Sequence, residues 1–208
     1  MKIEAKTMKV ETLENGTFRI LTDEDVKEIN KKQLIDLIPG TVFTEGNVRF
    51  VVLEHKECGT VVIEASARPE RVFDEDTPDW AASDLRNHLN IEVLKEYESA
   101  FGKDNIIESE TDLTTLDGLN NYGTCMDKVR LLTFEEYRRY QHLFVRESIW
   151  EWTCTAWSSK ERGWEYSVCV VPPRGNVHHN FCGNDYGVRP LCILKSNIFV
   201  SLEENENE

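Results

Sequence analysis

The six cysteines, at positions 58, 125, 154, 169, 182 and 192, are the residues of this chain most able to carry covalent or metal chemistry. They are spread out and form no Cys-x-x-Cys pair. Structural zinc sites draw on such close-spaced pairs, so the pattern reads as buried free thiols. Cys154 and Cys169 are placed to face one another across neighbouring strands. A cysteine-based enzyme, however, needs a thiolate favoured by a basic residue or a metal, and no motif sets one beside either. His178-His179 invites a metal reading, but adjacent strand residues point to opposite faces and make no bidentate ligand. His55, His88 and His142 are scattered. Ser158-Ser159 lies in a loop without a patterned base or acid, and no glycine-rich phosphate loop is present. The expectation is a chain with no catalytic residue, no metal and no cofactor.

What remains is surface. Trp157 to Trp164 encloses Ser158, Ser159, Lys160, Glu161, Arg162 and Gly163. Val177 to Tyr186 encloses His178, His179, Asn180, Phe181, Gly183, Asn184 and Asp185. Both segments mix aromatic and small polar residues. Aromatic rings supply contact area at low entropic cost, and Ser, Asn and Gly adapt to a partner. The predicted binding residues are Trp157, Arg162, Trp164, Tyr166, His179, Asn180, Asn184 and Tyr186, facing a protein or glycan ligand.

Elements must hold those loops. Residues 1–21 read as a strand-like lead ending in Thr17–Leu21, and Thr22 caps a short helix through about Gln33. Pro39-Gly40 marks a turn. Asn47–Leu53 and Thr60–Glu64 form a hairpin of β-branched runs. Thr77-Pro78 caps a helix carrying Leu85 and Leu89, and residues 102–124 read as a long loop. Val129–Leu132 is a short strand, and Thr133-Phe134-Glu135-Glu136 is a capping box. In the next helix Phe134, Tyr137, Gln141 and Phe144 recur at core spacing. Four of the five tryptophans lie between positions 150 and 164. Glu165–Val171 alternates as a strand, Pro172–Asn176 turns, Val177–Phe181 returns, Gly183–Gly187 loops, and Leu191–Leu194 closes as an apolar strand. The predicted class is α+β, with helices early and a compact antiparallel sheet late.

Four ordered segments carry a resemblance. Ser83-Asp84-Leu85-Arg86-Asn87-His88-Leu89-Asn90, Asp127–Thr133, Trp150-Glu151-Trp152-Thr153-Cys154-Thr155 and Gly187-Val188-Arg189-Pro190 are similar to motifs of a Firmicutes and prophage domain family with no established activity. That family is related in plan to the formylglycine-generating-enzyme branch of the C-type lectin fold. The resemblance spans about residue 10 to Ser201. It implies a C-type-lectin-like domain over 36–201, an N-terminal extension over 1–35 and an acidic tail over 202–208. It also implies that ligands meet C-terminal loops carried by a rigid sheet. Calcium-dependent sugar binding in C-type lectins uses a Glu-Pro-Asn loop and a Trp-Asn-Asp strand; Asn184-Asp185 retains only the last two residues, too few for calcium's six to eight oxygens. Among the motif residues, Arg86, Trp150, Trp152 and Arg189 read as structural. Arg189 has five donors suited to tying loop carbonyls, and the two tryptophans share a face at strand spacing.

The net charge is −14, and four of the negatives lie in the last six residues. Phosphate backbones are repelled by such a chain on average, which argues against direct nucleic-acid binding. An acidic protein suits instead the role of a prophage-encoded inhibitor covering the basic surface of a host nuclease. Such a role is the alternative to a non-enzymatic binding module; a cysteine-based enzyme is the second. No apolar run reaches membrane-spanning length and no signal-peptide stretch opens the chain. The expected location is the cytoplasm, or a virion.

Overall fold

The hairpin of β-branched runs lies at the centre of the molecule. The computed structural model describes residues 10–12, 18–20 and 31–202. β1 (Val10–Thr12) and β2 (Phe18–Ile20) pair with each other. Five strands follow: β3 (Lys31–Gln33), β4 (Val42–Glu45), β5 (Val48–Lys56), β6 (Gly59–Glu64) and β7 (Arg68–Val72). A helical segment then runs through a 3-10 turn (Trp80–Ala82), α1 (Asp84–His88), a π turn (Leu89–Val93) and α2 (Leu94–Phe101). The short strands β8 (Ile106–Ile107), β9 (Ser109–Asp112), β10 (Thr124–Asp127) and β11 (Val129–Arg130) lead to α3 (Phe134–Tyr140). The chain ends in β12 (Glu151–Ala156), β13 (Ser167–Val171), β14 (His178–Phe181), β15 (Asp185–Val188), β16 (Leu191–Leu194) and β17 (Phe199–Leu202).

An eight-stranded sheet has the order β11-β16-β6-β5-β4-β17-β3, with β8 also on β16. A five-stranded sheet has the order β14-β13-β12-β15-β7. Pairing is antiparallel except between β12 and β15, which meet in parallel at Glu151 and Gly187. The class is α+β with antiparallel sheet dominant. The larger sheet is covered on both faces. Phe50, Val52, Val62, Cys192 and Leu194 join Phe43, Tyr97 and Phe101 in one core cluster. Val51, Leu53, Val61, Ile63, Leu191 and Ile193 join Tyr137 and Tyr140 of α3 in a second. Side chains alternate with period two, so two buried faces require an unbroken apolar run, as in β6 and β16. Gly59 is required where β6 starts: a Cβ there would lie 2.5 Å from the Leu194 carbonyl oxygen and 2.7 Å from Ile107 Cδ1.

Several sequence expectations are corrected. The helix expected from Thr22 falls largely on residues 21–30, outside those described, but Lys31–Gln33 at its end is a strand paired with β17. Leu34 is fully buried, so the boundary at 35/36 cuts through the main sheet. Thr77 does not cap the helix. Its hydroxyl takes the Asp79 N–H, Asp79 takes the Ala81 N–H, and Ser83 takes the Arg86 N–H. Each short polar side chain captures the nearest free donor, so the helix starts only at Asp84. The loop read over 102–124 contains β8 and β9, and β9 pairs with β10 in register Ser109–Asp127 to Asp112–Thr124. Polar, β-poor composition hid a ribbon that pairing stabilises. Gly183–Gly187 likewise ends in strand, from Asp185. Helices are not segregated before the sheet, because β16 and β17 return beside β6 and β4. The capping box at Thr133 is present, with both reciprocal hydrogen bonds. No helix among the described residues is long and apolar enough to cross a membrane. The expected acidic tail, apart from Leu202, lies outside the described residues.

Candidate binding face

The smaller sheet positions the aromatic loops. In the β13–β14 register Ser167 opposes Phe181, Val168 Asn180, Cys169 His179 and Val170 His178. Val168 and Val170 point into the larger core cluster. Alternation therefore sends His179 and Phe181 to the other face. There the His179 ring packs on both Trp157, at 4.6 Å, and Trp164, at 4.9 Å, and the two indoles meet each other at 6.2 Å. Two residues along β14, Phe181 meets Tyr166 edge-on at 5.7 Å. Five rings thus form one band on an edge strand and its neighbouring turn. Trp164, Tyr166 and Phe181 keep 37%, 41% and 47% of their surface exposed. Burial, reinforced by the neighbouring His178, holds the His179 imidazole below its ordinary pKa.

The turn that bears the tryptophans is built rigidly. Trp157 N–H donates to Ser167 O (2.9 Å) and Trp164 N–H to Ser159 O (3.2 Å). Gly163 adopts the left-handed conformation (φ 81°) that closes the 3-10 turn Lys160–Arg162. Below it Asp117 collects the hydroxyls of Thr115 (2.6 Å) and Ser158 (2.7 Å) and the Arg162 guanidinium (2.7 Å). These donors hold its carboxyl below the usual range. Arg162, expected at the binding face, is thereby committed to bracing the turn, and Ser158 is buried.

The remaining predicted binding residues form a separate group. Asn180 shares its strand face with His178 and donates to the Tyr186 hydroxyl. Its Oδ1 accepts from Asn184 Nδ2 (2.8 Å) and from the Phe181 N–H (3.0 Å). Tyr186 packs on Trp150 (5.8 Å) and Trp152 (4.8 Å). Asn184 N–H caps the Phe181 carbonyl (3.0 Å), and His178 Nδ1 donates to the His179 carbonyl (2.6 Å). Together these contacts occupy backbone groups on the outer edge of β14, as proteins do where an open strand would recruit another chain. So Trp157, Trp164 and His179 meet, Tyr166 joins through Phe181, and Asn180, Asn184 and Tyr186 stand apart. Phe181 was missed. Its two-residue spacing from His179 was the available signal.

The residues read as structural are deeply engaged. Arg189 makes a bidentate pair with Glu151 (2.8 Å twice) and donates to the Ala65 (2.5 Å) and Glu64 (3.3 Å) carbonyls. Arg86 Nε reaches Asp127 at 2.6 Å while its other nitrogens take the Ala81 and Met126 carbonyls. Trp152 is buried and donates to Arg71 O (2.8 Å); Trp150 is half-buried beside His178. Sequence reasoning missed Asp127 itself, whose buried carboxylate also accepts from Trp80, Asn90, Thr111 and Cys125.

Elsewhere a cleft of about 480 Å³ lies between β9 and α3 over Arg130 and Thr155. Its threonines are bonded within the protein, Thr114 to Asp112, Thr115 to Asp117 and Thr155 to Phe134 N–H. Five of the six thiols are held in the neutral form. Burial raises Cys154, Cys169 and Cys192, pushes Cys182 up to about 11, and, with a hydrogen bond to Asp127, pushes Cys125 up to about 12. Such thiols are poor nucleophiles at neutral pH. No three His, Cys, Asp or Glu side chains among the described residues converge as a metal site. Comparison with protein-family models, with curated proteins and with solved structures gave no match.

Proposed function

We propose that this chain is a non-enzymatic binding module of C-type-lectin-like plan, of bacterial or prophage origin, that offers the aromatic band of Trp157, Trp164, Tyr166, His179 and Phe181 to a protein or glycan partner. One observation carries the reading. Trp157, Trp164 and His179 pack together, and Tyr166 and Phe181 pair beside them on the same braced turn and edge strand, yet Trp164, Tyr166 and Phe181 stay exposed. Rings ordered before contact lose little entropy on binding, and aromatic anchors dominate interface energies. The turn's dense hydrogen bonding and the occupied edge of β14 support presentation by side chains rather than by strand addition. The fold assignment draws support from Gly187 and Arg189. A Cβ at Gly187 would lie 2.5 Å from Ile149 Cδ1, and Arg189 ties the two sheets, so the Gly-Val-Arg-Pro motif has a packing reason.

The test is a panel of arrayed glycans and peptides probed with the wild-type chain and with the W164A/F181A variant. Ligands captured by the wild type are expected to be lost or weakened at least tenfold, about 1.4 kcal/mol, in a variant that still melts cooperatively. Unchanged capture would exclude the band as the contact surface. The net charge of −14 favours a second reading, an acidic inhibitor of a basic nucleic-acid enzyme. Binding of that kind weakens steeply with salt, whereas capture through the aromatic band is salt-insensitive.

A further inference from the structure

We propose that the His178–His179 pair is a proton-operated latch on the aromatic band, closed while both rings are neutral and opened when His179 takes a proton. This rests on the reading of the band as the binding surface and concerns its regulation. His178 Nδ1 lies 2.6 Å from the His179 carbonyl oxygen. A carbonyl only accepts, so Nδ1 carries the hydrogen. Although their Cβ atoms leave opposite faces, the two rings stack at 5.4 Å and 18°. At that separation a positive charge on one ring opposes a charge on the other.

His179 also packs against both Trp157 and Trp164, which meet each other. Neutral, it packs there as an apolar plate. Charged, it loses hydration; the indole faces return part of that cost, and a charge on His178 opposes it. The groups around it offer no compensating anion. On the turn, Lys160 pairs with Glu165 (3.6 Å), Arg162 with Asp117 (2.7 Å), and Glu161 accepts from Asn121 (3.1 Å). On β13 the opposing Cys169 is kept neutral by burial, and Trp150 meets His178 with an uncharged ring. Burial and His178 lower the His179 pKa, in keeping with a site that resists the cation. β14 is the outermost strand of its sheet, so no neighbouring strand blocks the ring from swinging out. Acidification then uncovers the Trp157 and Trp164 rings that His179 packs against and alters the surface presented.

The test is side-chain NMR of the full chain, following histidine and indole signals from about pH 8 to about pH 5, the range in which histidines titrate. His179 is expected to titrate below the ordinary histidine value. The Trp157 and Trp164 indole signals should move with its midpoint while those of the buried Trp80 do not. In H178Q, whose amide can replace the Nδ1 donor, the His179 midpoint should rise. Acidification of the wild type is expected to raise binding of the dye anilinonaphthalene sulfonate; in H179Q that rise should vanish and the two indole signals should be flat with pH. An unmoved His179 midpoint in H178Q, or indole signals that still titrate in H179Q, would overturn the latch. No partner enters these readouts, so loss of the latch and loss of the proposed binding function are separately visible.

Discussion

Arg189 and Glu151 are the pair on which the junction of the two sheets depends. The Arg189 side chain is 2% exposed and the Glu151 side chain 14%. Replacing Arg189 with alanine leaves a carboxylate and two carbonyls without donors. We expect R189A to lose about 3–5 kcal/mol in urea unfolding, and a loss below about 1 kcal/mol would contradict the assigned role. Arg130 and Glu136 form a second such pair, at 2.5 and 2.7 Å. Burial pushes the Glu136 carboxyl up, but the Arg130 charge and hydrogen bonds and the Thr133 N–H outweigh it, so its pKa is lowered. The unfolded carboxyl, near pKa ~4.3, binds its proton first as pH falls. The contribution is therefore whole at neutral pH and is lost on acidification through the carboxylate range. Stability measured against pH should show a shallower acid limb in E136Q, and an unchanged limb would exclude the linkage. Neither pair was readable beforehand in full: Arg189 stood out because it precedes a proline before an apolar strand, whereas its partner Glu151 did not, and the buried role of Asp127 was not legible from the motif it opens. A buried carboxylate is recognised by the donors that converge on it, and those come from Trp80, Arg86, Asn90 and Thr111.

At the scale of elements, legibility followed local chemistry. The capping box at Thr133 and the β5–β6 hairpin were visible because their determinants lie within a few residues. The β9–β10 ribbon was invisible, since Ser109–Asp112 has little strand propensity and is held by a partner twelve or more residues away. The strand at Lys31–Gln33 was masked in the same way by its distant partner β17. For the candidate site, the aromatic and polar composition of two segments singled out Trp157, Trp164 and His179, but their meeting, the edge position of β14 and the bracing role of Arg162 follow from pairing that no spacing encodes. Gly59 belongs to this scale. Alanine there meets the Leu194 backbone and the Ile107 and Ile193 side chains. Because backbone cannot yield cheaply, G59A should cost about 1–3 kcal/mol and loosen the β6–β16 pairing, read as faster amide exchange at Thr60 and Leu194. Unaltered exchange there would mean that the strands separate without penalty.

Taken whole, the molecule joins a doubly covered sheet, whose task is stability, to a smaller sheet whose outer edge carries exposed rings. Beside the band, Lys160 pairs with Glu165 and Arg162 with Asp117. This division makes a direct claim: the aromatic band is surface for contact, not core required for folding. The W157A/W164A double variant tests it. Thermal unfolding and partner capture are measured on the same preparation. The account predicts a single cooperative transition lowered by only several degrees, about 1–2 kcal/mol for two partly exposed rings, together with loss of capture. A double variant that fails to fold, or one that folds and captures its ligands undiminished, would contradict it.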